Sequence, residues 1–115
     1  MREMIAPLGW AHIDAVLDHI GQWLVAGEYP VILQIRAKLV AEELLSSLIC
    51  MEEAQTACVR CEYPAPQQIL LQYHNETGPL DPDLSVLKSL LRNDCTNGVN
   101  AEFEAGRCLI TVNEP

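Results

Sequence analysis

The chain has 115 residues, enough for one domain with one core. Half of its residues are apolar, and seven Lys and Arg stand against sixteen Asp and Glu, a formal net charge of -9. That composition excludes a disordered chain, and an acidic protein whose only lysines are Lys38 and Lys88 is disfavoured as a binder of nucleic acid or of an anionic membrane surface.

Residues 9–26 place Ile13, Val16, Leu17, Ile20, Trp23 and Leu24 at helical spacing, with Asp14, Asp18 and Gln22 on the other side. This predicts a first amphipathic helix, with Trp10 and Trp23 anchoring it to the core. Gly27-Glu28-Tyr29-Pro30 should break it. A second helix is expected from Val31 to Glu53, its apolar face made by Leu33, Ala37, Val40, Ala41, Leu44, Leu48 and Met51.

After Thr56 the period changes. Residues 57–63 and 68–74 alternate as two strands around Pro64-Ala65-Pro66, a predicted hairpin. Residues 75–79 form a loop, and Asp81-Pro82-Asp83-Leu84 leads into a short helix ending near Arg92. Strands 99–103 and 108–112 close the chain as a last hairpin. The predicted class is α+β: a two-layer sandwich, with a mixed or antiparallel sheet and helices on one face. No apolar run approaches the ~20 residues that span a bilayer, and MREMIAPLGW carries no long apolar segment before a cleavage site. Five cysteines are an odd number, so a complete internal disulfide framework is excluded, and a reducing, cytoplasmic location is expected.

Within LVAEELLSSLI, residues 39–49, Glu43 and Ser47 lie four apart and share a helix line with Arg36 and Val40. A carboxylate there can take a proton from water or help hold a metal, and the hydroxyl can meet the same ligand. Spacing alone points first to Glu42, Glu43, Ser46 and Ser47 as the solvated flank of an amphipathic helix. Cys58 and Cys61 have the spacing of half a zinc site, but no second pair follows, and residues three apart on a strand point to opposite faces. His12, His19 and His74 are scattered, and a helix-surface role is expected for the first two.

The segments IGQWLVAGEYP and IRAKLVAEELLSSLI resemble the start of anti-sigma regulatory factors of the GHKL (histidine-kinase-like) ATPase superfamily, in which a helix, a break and a helix of the form L-x-x-x-E-x-x-x-N follow one another. LLQYHNETGPLDP resembles the family's D-x-G-x-P-F-D-P strand and loop, and AEFEAGRCLITV its closing hairpin. The resemblance spans nearly the whole chain as one domain and implies a Bergerat-like fold. It implies Glu43 as general base, Ser47 in place of the Asn that holds Mg²⁺, and Asn75, Glu76, Gly78 and Asp81 as the nucleotide-reading positions. It also implies ATP and Mg²⁺ as cofactors.

Three departures weaken that site: Ser for Asn, an imperfect D-x-G, and no glycine-rich lid before the third helix. Without the lid's close backbone N–H groups the main triphosphate contact is missing. The sequence therefore points to a regulator that binds a sigma factor or an anti-anti-sigma-like protein, with nucleotide binding weak or lost. An active ATP-dependent serine kinase, using Glu43 as base, Asn75 or Glu76 for adenine and Ser47 with water on Mg²⁺, is one alternative. A non-regulatory interaction or dimerisation module is the other.

Overall fold

The computed structural model describes residues 3–113, so that Met1 and Arg2 of the N-terminal segment read above lie outside them. The element order is β1 (Met4–Pro7), α1 (Ile13–Ala26), α2 (Val31–Ile49), a 3₁₀ turn (Glu52–Thr56), β2 (Cys58–Glu62), β3 (Gln68–Asn75), β4 (Gly78–Pro79), α3 (Ser85–Leu91), a second 3₁₀ turn (Asp94–Thr96), β5 (Val99–Glu104) and β6 (Arg107–Val112). The strands form one antiparallel sheet in the order β1-β2-β3-β6-β5, with β4 on β3. The predicted α+β class holds.

Alternation explains the two layers. Val59 and Cys61 of β2, Ile69, Leu71 and Tyr73 of β3, and Cys108, Ile110 and Val112 of β6 are buried on one face. Against them lies the apolar face of α2, with Ala37, Val40, Ala41, Leu44 and Leu48 fully buried. Each fully buried Leu or Ile of this kind contributes roughly 1.5–3 kcal/mol relative to exposure. The other sheet face carries Arg60, Gln72, Glu102 and Glu104, where Arg60 pairs with Glu3 at 2.6 Å and with Glu62. Leu70 also points that way, yet it is buried, because Glu62 and Leu109 stand in register on either side of it.

Several expectations need correction. Strand β1 is an addition: Met4–Pro7 gains its identity from pairing with Cys58–Cys61. The first helix begins at Ile13, since His12 N–H bonds back to Gly9 as a turn. The second stops at Ile49; Met51 is extended, and the chain passes through 3₁₀ geometry to reach β2. Trp10 is 61% exposed, so it does not anchor the core. At the break the left-handed residue is Glu28 (φ 60), and α1 is capped by Gly27 N–H donating to the Trp23 carbonyl and Glu28 N–H to that of Val25. Cys58 and Cys61 do point to opposite faces, and the five cysteines are free.

Candidate functional site

Two ends of the sheet orient α2. Near its start, Arg36 Nη1 donates to the Asn97 carbonyl at 2.9 Å, two residues before β5 begins at Val99. Near its finish, Leu45 and Ile49 share a small apolar cavity with Pro7, Leu8, Val16 and Val59. That is the opposite end of the sheet, where Cys58 pairs with His74. Gln34 and Lys38 line a cleft towards α1. Glu43 and Ser47, sharing the line of Arg36, therefore stand on the opposite flank of α2, the side of the second 3₁₀ turn and α3. Both are half-buried, and among the described residues no hydrogen bond or ion pair holds the Glu43 carboxylate.

The second group of candidates is gathered in the β3–β4 hairpin. Asn75 pairs with Gly78 across the two-residue turn Glu76-Thr77, and Gly78 takes φ 136. The Asn75 side-chain oxygen accepts from Thr77 N at 2.9 Å and from Thr77 Oγ1 at 2.7 Å. This is an Asx turn, a local bond typical of Asn at a chain reversal. Leu80 N–H donates to Tyr73 O, and Tyr73 N–H to Gly106 O, so the hairpin is tied to the β5–β6 turn. Glu76 and Asp81 are exposed. Among the described residues, no hydrogen bond or ion pair joins this group to Glu43 or Ser47.

The residues fit a nucleotide poorly. Reading an adenine amino group takes an acceptor, and both lone pairs of the Asn75 oxygen already face Thr77 donors. At the head of α3, Asp83 accepts the Ser85 N–H at 3.0 Å. That bond, with the Ser85 hydroxyl second, holds the Asp83 carboxyl below its usual range. A carboxylate thus sits at the head of α3, where the resemblance would expect a lid's N–H groups, and its charge opposes that of a phosphate. Among the described residues no group of three or more His, Cys, Asp or Glu side chains converges as a metal cluster. Glu43 and Ser47 would offer one carboxylate and one hydroxyl.

Two features escaped the sequence. His19 Nδ1 meets Tyr63 Oη at 2.6 Å, and Cys61 Sγ donates to the same oxygen at 3.5 Å. Trp23 stacks on Tyr63 at 4.7 Å and on Tyr29 at 5.8 Å. His19 is therefore a tertiary hydrogen-bonding residue rather than a free surface group; a separation of 44 positions left no local signal. The other is a cleft of about 480 Å³ between α1 and α2, lined by Asp18, Gly21, Gln22, Val25, Ala26, Gln34 and Lys38. Gly21, a glycine inside a helical pattern, was its one trace in the sequence.

The chain matches no protein-family model and no curated protein. Among the described residues, no helix is long and apolar enough to cross a membrane.

Proposed function

We propose that the chain is a protein-binding regulator of the anti-sigma type on a histidine-kinase-like ATPase fold, its nucleotide site weakened or lost and kinase activity absent. The observation that carries this reading is the double engagement of the Asn75 oxygen by Thr77, at the position the resemblance gives to adenine recognition. Asp83 at the head of α3 supports it, since a fixed carboxylate opposes a triphosphate. The order helix, break, helix, two strands, short helix, closing hairpin supports the fold half of the reading. The partner in this reading is a sigma factor or an anti-anti-sigma-like regulator, met by surface complementarity.

The test is calorimetric titration of ATP and ADP, each with Mg²⁺, into the protein and into Glu43→Ala. No heat at millimolar nucleotide from folded protein is the expected result. Micromolar binding weakened by the substitution overturns it. That outcome belongs to the second reading, a working serine kinase, which the Glu43 carboxylate, unpaired among the described residues, favours because a general base needs free lone pairs.

A further inference from the structure

The cleft between α1 and α2 has two distinct ends. At one, Val25 of α1 and Val31 and Ile35 of α2 are 62%, 69% and 57% exposed. Val31, Ile35 and Lys38 follow one another at helical spacing, so the apolar side chains continue the wall that Lys38 begins. At the other, charge gathers. A Cβ built on Gly21 would lie 3.6 Å from Lys38 Nζ, so the lysine lies across α1 through the gap that glycine leaves. Asp18 stands one turn before Gly21 on the same flank of α1, and it lines the same cleft. Among the described residues, the Lys38 ammonium pairs with no carboxylate.

We propose that this face is the contact surface of a homodimer, with α1 of each copy lying over α2 of the other about a two-fold axis along the cleft. The two helices run antiparallel, because Gly21 meets Lys38 while Val25 and Gln34 share the cleft further along. Rotation about an axis parallel to them exchanges α1 for α2 at the same height. Asp18 of one copy then faces Lys38 of the other, twice, and Val25 faces Val31 and Ile35, twice. Such a face is self-complementary, as an isologous interface has to be. A basic partner would leave Lys38 against like charge, and an acidic one would leave Asp18 so. For a chain of net charge -9, contact between copies needs its cation at the interface, and Lys38 supplies it.

The size is appropriate. Val25, Val31 and Ile35 make an apolar patch of roughly a few hundred Å², the scale that marks interaction sites on soluble proteins. The proposal stands independently of the nucleotide reading, since Glu43, Ser47 and Asn75 take no part in it.

Sedimentation velocity of the full chain over micromolar to submillimolar concentration tests it. A monomer–dimer equilibrium is expected, weakened by about tenfold or more in Ile35→Asp. Asp18→Lys and Lys38→Asp should each weaken it, and the double swap should restore it. All three positions are exposed or half-exposed, and circular dichroism checks that each variant stays folded. A monomer at every concentration overturns the proposal, and so does a dimer indifferent to Ile35→Asp or a double swap that restores nothing.

Discussion

His19 and Tyr63, on α1 and just beyond β2, are joined at 2.6 Å between Nδ1 and Oη, with their rings stacked at 5.5 Å. The Tyr63 hydroxyl also accepts from Cys61 Sγ at 3.5 Å, so a single oxygen meets a side chain of α1 and one of β2. One hydroxyl thus links helix to sheet. Tyr63→Phe removes that link while keeping the stack with Trp23, and should cost about 1–2 kcal/mol in urea unfolding. The loss should be smaller in a His19→Ala background, because the two side chains share one bond. Full additivity would show that the contact carries no energy.

Burial gives the two core thiols a second consequence. Loss of water pushes Cys61 up to about 11 and Cys108 up to about 12, from an ordinary 9.0. Tyr63 and Tyr73 move upward too, again chiefly through burial. A proton is therefore held more tightly in the folded chain than in the unfolded one. The stability that this linkage provides is complete below 9.0 and is lost as pH rises towards 11 and 12. At about 1.4 kcal/mol for each tenfold difference in proton affinity, alkaline unfolding should begin near the ordinary thiol value. Urea midpoints measured from neutral pH upward should fall only above that point, and Cys108→Ala should flatten the fall. In the same samples a thiol reagent at neutral pH should label the exposed Cys50 and Cys95 rapidly, and Cys61 and Cys108 only on unfolding.

Gly106 turns β5 into β6 at φ 75, and a Cβ there would run into Pro79 and sit 3.3 Å from the Tyr73 carbonyl. Gly106→Ala meets both the left-handed backbone penalty and this crowding, so it should destabilise by about 1–3 kcal/mol. Gly9→Ala is the control: the nearest atom to its added Cβ is a His12 ring carbon at 3.7 Å, ordinary contact. Its unfolding midpoint should move by less than about 0.5 kcal/mol equivalent. Equal effects at the two glycines would remove the argument that the β3–β4 hairpin is locked onto the β5–β6 turn.

By itself the sequence determined the elements with strong local causes. Periodic apolar residues set α1 and α2, alternation set β2, β3, β5 and β6, and their antiparallel pairing followed from two short connections. Glu43 and Ser47 on one helix line were equally legible, because a 3.6-residue repeat decides that without reference to anything else. Tertiary structure alone decided the rest. Met4–Pro7 becomes a strand only because β2 offers its edge, and α2 ends at Ile49, where no glycine or proline marks a stop, because the chain has to turn into the sheet. Trp10 reads as a core residue by type, yet it precedes the first turn of α1 and nothing brings the sheet over it. The role of Asn75 was equally hidden. Its amide could have faced a ligand or its own backbone, and the geometry of a two-residue turn gave the oxygen to Thr77. Contacts between residues far apart in the chain, such as His19 with Tyr63 or Lys38 over Gly21, leave almost no local pattern, because they depend on how helices settle on the sheet after each element has formed.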